Sequence, residues 1–258
     1  MYEYDNFTKD IYKLTGIDLS LYKERQMKRR IEALIKRYNL AGFKEFLGAI
    51  QTNKEMYETF LSYLTINVSE FYRNPDQWRI LDENVIPTLL KKNGGRPLKI
   101  WSAACSTGDE PYSLVMLLSK HLPLDKILVE ATDIDKQIIQ KAKAGIYDKK
   151  SLAGLPEDFK RRYFKELGKN SYQISSEIKD RVKFSQHNLL RDSFGSNYDL
   201  IVCRNVMIYF TEEAKDELYQ KFYGALKKEG VLFVGSTEQM LRADSIGFHS
   251  IYSFFYEK

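Results

Sequence analysis

The sequence predicts an α/β protein with a doubly wound, mostly parallel sheet, an N-terminal all-α domain and a small inserted β-subdomain. Residues 1–73 carry apolar side chains at helical spacing, whereas from residue 98 onward short apolar runs alternate with helical segments. Strands that alternate with helices favour a parallel sheet with crossover helices. The stretch 146–181 is too long for a simple connection between two such elements and therefore predicts the inserted subdomain.

Helices fill the first 93 residues in this prediction. A first helix around Phe7 ends at Gly16, and the second carries an apolar stripe made of Met27, Ile31, Leu34, Ile35 and Tyr38. Asp18 or Ser20 is expected to cap the second helix, because their side-chain oxygens can accept hydrogen bonds from free backbone N–H groups. The remaining helical segments are 43–50, 55–64 and 75–92. The predicted domains are a helical domain at 1–73, a linker helix at 74–93 and an α/β domain at 94–258.

Apolar runs supply the strands of the α/β domain. The final run follows its predecessor without a full crossover helix and is therefore expected to be antiparallel. Within the insert, a short helix precedes a hairpin centred on Gly168, Lys169 and Asn170. The predicted strands are 98–105, 127–132, 182–188, 198–203, 230–235 and 248–256.

Composition excludes several classes of protein. No apolar run approaches the roughly 20 residues of a membrane span, and the N-terminus lacks the basic start and apolar core of a signal peptide. Cys105 and Cys203 lie far apart outside any CxxC pattern, and the three histidines lack metal-ligand spacing, so neither a metal site nor a disulfide is expected. We expect a cytoplasmic protein with two buried free thiols.

The net charge of +5 arises in one segment of the chain. Residues 22–38 contain seven Lys or Arg against two Glu, and the rest of the chain is balanced. On a helix, Arg25, Arg29 and Lys36 fall within about 40° of arc, opposite the apolar stripe. This face either binds an acidic partner or is an ordinary solvated surface.

A cofactor site is predicted where the first strand meets its helix. The connecting loop has a single glycine, Gly108, followed by Asp109 and Glu110, whereas dinucleotide sites need G-x-G-x-x-G around a pyrophosphate. Two carboxylates would repel a pyrophosphate but suit S-adenosylmethionine, which carries an ammonium and a sulfonium. The alternative is that both acids only stabilise the N-terminus of the helix.

Polar residues also follow the next two strands. Asp133 ends the second strand, where a carboxylate can accept hydrogen bonds from the hydroxyls of a ribose. Asn188 and Leu189 end the third strand and can hold an adenine edge through an amide and a backbone N–H, although Asn188 is equally a turn former.

Four motifs occur in order along the chain. They are Thr65-Ile-Asn-Val-Ser-Glu-Phe-Tyr-Arg73, Ala104-Cys-Ser-Thr-Gly-Asp-Glu-Pro-Tyr-Ser113, Thr132-Asp-Ile-Asp135 and Cys203-Arg-Asn-Val-Met-Ile-Tyr-Phe210. In this order they resemble the signatures of the chemotaxis receptor methyltransferases, the CheR family, over essentially the whole chain. The resemblance implies a class I methyltransferase with a Rossmann-like sheet, an N-terminal receptor-recognition domain and a β-subdomain.

The resemblance also implies a reaction and its site residues. A CheR-like enzyme transfers a methyl group from S-adenosylmethionine, leaving S-adenosylhomocysteine, to glutamate side chains on the cytoplasmic helices of chemoreceptors, and the methyl esters serve chemotactic adaptation. Where such families usually have Gly-Glu-Glu, this chain has Gly108-Asp109-Glu110, and we assign the ligand role to Glu110. The implied cofactor residues are Asn67, Ser69, Arg73, Glu110, Asp133, Asn188, Leu189, Arg204 and Asn205.

Substrate residues are implied in the same way. Tyr209 is the candidate for orienting the accepting carboxylate, with packing as its alternative role, and Arg73 or Arg204 can stabilise that carboxylate electrostatically. The basic face formed by Arg25, Arg29 and Lys36 is expected to bind the acidic receptor helices. The hairpin loop 167–171 is short and holds one glycine, so tethering to a C-terminal receptor peptide is not expected.

Two other functions compete with this interpretation. A nucleic-acid methyltransferase can use a basic helix on phosphates, but amino-methylating enzymes usually carry an Asn/Asp-Pro-Pro-aromatic segment where this chain has Arg204-Asn-Val-Met207. A non-catalytic adaptor can keep the same fold, and the presence of the acids and of Tyr209 argues against it.

Overall fold

The structure is a computed structural model that describes residues 3–65 and 69–258. It divides into a helical unit, 1–67 with 208–217, and a sheet unit, 68–207 with 218–258. This division differs from the predicted domains in two places. The described residues 69–93 belong to the sheet unit, and the segment 208–217, which follows a strand of the sheet in sequence, belongs to the helical unit.

The helical unit contains the four predicted helices. Gly16 ends the first helix with a φ of 72°, a conformation that glycine adopts without strain. The cap expected for the second helix is wrong, because Asp18 accepts the backbone N–H of Ser20 and caps a short 3₁₀ turn, Leu19–Leu21, instead. The helices are α1, Tyr4–Thr15; α2, Glu24–Arg37; α3, Phe43–Thr52; and α4, Lys54–Thr65.

Aromatic rings from three helices form the core of the helical unit. Phe7, Phe46 and Phe60 are fully buried. The ring centroids of Phe46 and Phe60 are 5.5 Å apart, and those of Phe7 and Phe60 are 6.3 Å apart with an edge-to-face orientation. Such pairs add to the hydrophobic effect of burial. The apolar stripe of α2 is buried at Met27, Ile31, Leu34 and Ile35, as expected for an amphipathic helix.

The segment 208–217 pairs with the chain that leads into α2. The backbone N–H of Lys23 donates to the carbonyl of Tyr209 at 2.9 Å, and that of Thr211 donates to the carbonyl of Leu21 at 2.9 Å. Between these bonds, Tyr22 and Phe210 form an antiparallel bridge, with ring centroids 5.1 Å apart. Tyr209 is therefore fixed to the start of α2 by main-chain hydrogen bonds.

The sheet unit begins with the predicted linker helix. It runs as α5, Pro75–Ile80, a π-helical turn, Leu81–Val85, and α6, Ile86–Lys92, which together match the predicted segment 75–92. The later helices are α7, Asp109–Leu118; α8, Lys136–Ala144; α9, Glu157–Tyr163; α10, Ser176–Lys179; α11, Glu212–Ala225; and α12, Ala243–Ile246. Of these, α11 begins in the helical unit and continues in the sheet unit.

Within the described part of the chain, ten strands form two sheets. They are β1, Ile100–Ala103; β2, Val129–Asp133; β3, Ile146–Asp148; β4, Phe164–Gly168; β5, Ser171–Ile174; β6, Val182–Gln186; β7, Tyr198–Cys203; β8, Leu226–Val234; β9, His249–Tyr252; and β10, Phe255–Glu257. The larger sheet has the order β6-β2-β1-β7-β8-β10-β9, and the smaller one, β3-β5-β4, is the predicted inserted β-subdomain.

The larger sheet is parallel from β6 to β8 and antiparallel from β8 to β9. Its central strands β1 and β7 are buried at every residue, as expected for a parallel sheet covered on both faces. The prediction of a single last strand at 248–256 is wrong, because the chain turns there and forms β9 and β10. The predicted antiparallel end of the sheet is confirmed by the pairing of β10 with β8.

Among the described residues, no helix is both long enough and apolar enough to cross a bilayer.

The aromatic core makes a prediction about stability. Phe7→Ala is expected to lower the free energy of unfolding by about 3–5 kcal/mol, because a fully buried ring leaves a cavity among its neighbours. Tyr12→Ala, on the same helix but 49% exposed, is the matched control and is expected to change it by less than about 0.5 kcal/mol. Guanidinium denaturation followed by circular dichroism measures both. Equal losses for the two variants would contradict the packing described for α1.

Candidate functional site

The loop after β1 is folded tightly against the end of β2. The backbone N–H groups of Ala104 and Cys105 both donate to the carbonyl of Thr132 at 2.8 Å. Gly108 ends the loop with a φ of 89°, and a Cβ there would lie 3.0 Å from the Cβ of Ala142 and 3.0 Å from the ring of Tyr112. Both the backbone angle and the lack of space require glycine at this position. The single glycine noted in the sequence therefore serves close packing.

Asp133 is held at the end of β2 by backbone donors. Its Oδ2 accepts the N–H of Ser106 at 2.9 Å, and its Oδ1 accepts the N–H of Asp135 at 3.0 Å. The residue is buried, and burial raises the pKa of its carboxyl to about 6. Each carboxylate oxygen keeps a further lone pair, so the fixed carboxylate can accept hydrogen bonds from two hydroxyls of a ligand.

Ser106 is a candidate ligand that the sequence analysis missed. Its Oγ is buried and has no hydrogen-bond partner among the described residues, although its backbone N–H contacts Asp133. An unpaired buried hydroxyl is costly unless a ligand or water satisfies it. The available signal was its position in the loop, between the end of a strand and the glycine that begins a helix.

Asp109 and Glu110 have different surroundings. Asp109 is fully buried, accepts the hydroxyl of Thr107 at 2.5 Å and also bonds the hydroxyl of Ser69, while burial raises its pKa to about 6. Glu110 accepts the hydroxyl of Ser102 at 2.8 Å and retains 13% of its side-chain exposure. Asp109 is withdrawn from solvent whereas Glu110 keeps part of its side chain exposed, which favours Glu110 as the ligand.

Arg204 connects the end of β7 to the segment 73–77, which includes the first turn of α5. Its Nη2 donates to the carbonyl of Arg73 at 2.8 Å and to the side-chain oxygens of Asn74 and Gln77 at 3.1 and 2.8 Å. Its Nη1 lies 3.6 Å from the Oε2 of Glu110. Burial lowers the pKa of Arg204, the neighbouring Arg73 cation adds to this effect, and Glu110 opposes it. Burial also raises the pKa of Glu110, against the influence of Arg204.

Glu238 is a second residue that the sequence analysis missed. Its Oε2 accepts the backbone N–H of Asn205 at 2.6 Å and that of Gly235 at 2.9 Å, and the residue is buried. Asn205 has a φ of 60°, so the carboxylate holds a turn in a left-handed conformation that asparagine tolerates. The signal for Glu238 was an acid shortly after β8, at the carboxyl edge of the sheet.

Asn188 forms a turn, which was the alternative role considered for it. Its Oδ1 accepts the N–H of Leu190 at 3.0 Å, and its own N–H donates to Asp192 at 2.8 Å. Leu189 is buried, and its carbonyl accepts Lys221 Nζ at 2.7 Å. The amide oxygen of Asn188 is therefore used in the turn.

Six of the candidate cofactor residues follow or end β1, β2, β6 and β7, whose carboxyl ends meet at one edge of a parallel sheet, whereas Ser69 and Arg73 precede α5. Asn67 lies outside the described residues. Ser69, Arg73, Glu110, Asp133, Asn188, Leu189, Arg204 and Asn205 all belong to the sheet unit. A fixed carboxylate, an unpaired buried hydroxyl and a loop without a phosphate cradle fit S-adenosylmethionine, which has a ribose diol and cationic groups but no phosphate.

Tyr209 lies in the helical unit, beside a cleft of about 470 Å³. Arg25, Arg29 and Lys36 are exposed on α2, and of these Arg29 contributes to the cleft. The cleft is lined by Lys23, Gln26, Met27, Arg29, Arg30, Ala33, Tyr63 and Tyr209. The described lining contains three cations and no acidic residue, so it favours an anionic group.

Comparison with known proteins is consistent along the whole chain. Residues 2–65 match the model "CheR methyltransferase, all-alpha domain", and residues 67–252 match "CheR methyltransferase, SAM binding domain". A chemotaxis protein methyltransferase of Listeria innocua is 41% identical over 256 residues, which cover 99% of this chain and 97% of the relative. Chemotaxis protein methyltransferase 2 of Vibrio cholerae is 34% identical, covering 96% of this chain and 88% of the relative.

A further relative, chemotaxis protein methyltransferase 1 of Pseudomonas aeruginosa, is 33% identical, covering 92% of this chain and 90% of its own length. The resemblance first seen in four short motifs thus extends over both units. The chain belongs to the CheR methyltransferase family and is an S-adenosylmethionine-dependent methyltransferase.

Proposed function

We propose that this enzyme methylates glutamate side chains on the cytoplasmic helices of chemoreceptors and so produces the glutamate methyl esters used in chemotactic adaptation. The observation that carries this proposal is the cationic cleft beside Tyr209 in the helical unit. Three cations, with no acid among the lining residues that the structure describes, suit a substrate that presents carboxylates. The names of the relatives, chemotaxis protein methyltransferases, agree with a substrate in the chemotaxis system. The enzyme would act in the cytoplasm, where these receptor helices lie.

The chemistry of the proposed acceptor requires little acid–base catalysis. A glutamate is already ionised near pH 7, so its oxygen is a nucleophile without prior removal of a proton. S-adenosylmethionine supplies an electrophilic methyl group. The protein must therefore hold the accepting oxygen in line with that group and exclude water. We assign the orientation of the acceptor carboxylate to Tyr209.

The two candidate arginines receive different roles in this proposal. The guanidinium of Arg204 is enclosed by Glu110 and by oxygens of the segment 73–77, so it positions that segment. Arg73 remains half-buried, and its carbonyl is the group that Arg204 and Trp78 bind. We therefore assign electrostatic stabilisation of the acceptor carboxylate to Arg73.

The cofactor-binding residues also remain a proposal. Asp133 would accept the ribose hydroxyls, Glu110 would face the cationic part of the cofactor, and Ser106 would donate its free hydroxyl. Asn188 and Leu189 would hold the adenine, and Asn205 would complete the site in the turn that Glu238 fixes. Asn67 and Ser69 would contribute from the segment before the linker helix.

The expected receptor contacts lie on α2, and the inserted β-subdomain is not expected to bind a receptor tail. The hairpin between β4 and β5 turns through Lys169 and Asn170, both in left-handed conformations, so it offers a tight two-residue turn. This turn supports the expectation that no C-terminal receptor peptide is required. A nucleic-acid substrate is not favoured, since the described cleft is small and the net excess of positive charge lies within the single segment 22–38.

The proposed reaction can be tested directly by its product. Tritiated S-adenosylmethionine and receptor-bearing membranes should give labelled receptor, and mild alkali should release the label as volatile methanol because methyl esters hydrolyse. A receptor that lacks its C-terminal tail is expected to be labelled at the same rate. Label that resists alkali, or label on added RNA instead of receptor, would refute the glutamate assignment. A large loss on removing the tail would refute untethered recognition.

Cofactor binding is expected to weaken at acid pH. The pKa of Asp133 is raised to about 6, so its ionised, ribose-binding form is lost as pH falls through that value. The affinity for S-adenosylhomocysteine, measured by calorimetry from pH 8 to pH 5, should fall below pH 6 by up to about tenfold per pH unit. Asp133→Asn should bind weakly with a flat profile. If the affinity of the Asp133→Asn variant still falls as the pH falls below 6, the titrating group is Asp109 and not Asp133.

The basic face of α2 is expected to act on receptor binding alone. The double variant Arg25→Glu, Arg29→Glu should raise the KM for receptor and flatten its salt dependence, since complementary charge is screened by salt. The affinity for S-adenosylhomocysteine should not change, because both residues belong to the helical unit. Lys9→Glu with Lys13→Glu on α1 makes the same change in charge and is the matched control. Normal KM at low salt in the α2 variant would contradict this role.

A further inference from the structure

One arginine in the cationic cleft is held by an aromatic ring, unlike its exposed neighbours on α2. The guanidinium carbon of Arg30 lies 4.6 Å from the ring centroid of Tyr63 on α4. Its Nη2 also donates to the backbone carbonyl of Tyr63. Both residues are half-buried and line the cleft with Tyr209. Arg30 is therefore attached to α4 at two points.

The remaining donors of Arg30 are suited to a carboxylate. A guanidinium has five N–H donors in a planar fork, and one of its nitrogens binds the Tyr63 carbonyl. The Nε is buried and has no hydrogen-bond partner among the residues that the structure describes. A cation held in this way, in a cleft whose described lining holds no acid, can bind an anionic side chain without first losing rotamer freedom.

Arg25 and Arg29 differ in this respect. Both are exposed, and an exposed arginine side chain loses rotamer entropy when a ligand immobilises it. The stacking of Arg30 on Tyr63 avoids most of that loss, because a cation over an aromatic face is already in a preferred geometry. Arg25, Arg29 and Lys36 share one arc of the helix, and Arg30 lies outside that arc.

We infer that Tyr63 is a positioning residue: it holds the Arg30 guanidinium in the cleft, where Arg30 binds a receptor carboxylate that flanks the accepting glutamate. The inference rests on the proposed receptor substrate. Tyr63 acts through its ring and its main chain, so its hydroxyl is not required. Because Arg30 contacts substrate and Tyr63 does not, loss of Tyr63 should weaken receptor binding only as far as loss of Arg30 does.

A double-mutant cycle on Tyr63→Leu and Arg30→Ala tests this coupling through KM and kcat for receptor. Arg30→Ala should raise KM about tenfold and Tyr63→Leu about fivefold, while the double variant should stay near tenfold because both remove one interaction. The kcat at saturating receptor and the affinity for S-adenosylhomocysteine should not change. Tyr63→Phe keeps the ring and should restore the wild-type KM.

Matched controls separate this role from charge and from folding. Arg37→Ala removes one positive charge from the exposed last turn of α2, outside the cleft, and should leave KM unchanged. The melting temperature of each variant reports whether it is folded. If Tyr63→Leu has a clearly lower melting temperature than the wild type, Tyr63→Met, which fills similar space without a ring, replaces it in the cycle.

The outcomes distinguish the inference from the proposed function. If the wild-type enzyme does not label receptor, the proposed function fails and the inference with it. If it does, three results overturn the inference alone. The first is an increase in KM of about fiftyfold in the double variant, which would mean that the two effects are independent. The others are a wild-type KM for Tyr63→Leu, or a KM for Tyr63→Phe as high as that for Tyr63→Leu.

Discussion

The sheet unit depends on a buried ion pair at the end of β7. Arg204 and Glu110 are both largely withdrawn from water, and the attraction between two charges in such a place does not by itself offset the loss of hydration. Further hydrogen bonds reduce this cost: Ser102 donates to Glu110, and three oxygens from the segment 73–77 accept from the Nη2 of Arg204, while its buried Nε has no partner among the described residues. The pair therefore fixes β1, β7 and that segment together. Removing either partner would leave a buried charge, and removing Arg204 would also release the backbone carbonyl of Arg73.

The loop after β1 shows how such rigidity reaches the cofactor site. Ala104, Ser106 and Gly108 all have positive φ values, of 75°, 48° and 89°, and the first two are not glycines. Residues in this region are strained and persist only where the surroundings determine them. Here the carbonyl of Thr132 and the carboxylate of Asp133 hold the backbone of Ala104, Cys105 and Ser106. The same contacts orient Asp133, so the strain in the loop and the preorganisation of the carboxylate have one cause.

Sequence patterns could predict elements formed by local rules, but not pairings between distant segments. The linker helix and β7 followed from periodicity and from apolar runs, and Asp133 followed from its place after a strand. Asp18 was misassigned because an Asx cap can begin either a 3₁₀ turn or a helix. Membership of Tyr209 in the helical unit depends on backbone hydrogen bonds to residues 21–23, which side-chain periodicity does not reveal. Ser106 and Glu238 were missed for a related reason, because an unpaired hydroxyl and a turn-binding carboxylate are recognised only once their surroundings are known.

The distribution of charge between the units gives each its ligand preference. The candidate cofactor site of the sheet unit is built around Glu110 and Asp133, and its cofactor carries a sulfonium and an ammonium. The cleft of the helical unit holds Lys23, Arg29 and Arg30 with no described acid, and its proposed ligand carries carboxylates. The acids of the candidate cofactor site suit the cations of the cofactor, and the cations of the cleft suit the carboxylates of the proposed receptor substrate. Tyr209 follows the buried strand β7 in sequence but pairs by its main chain with the start of α2. Six residues of sequence, from Arg204 to Tyr209, thus separate the arginine that holds the segment 73–77 from the tyrosine that we propose for orienting the acceptor.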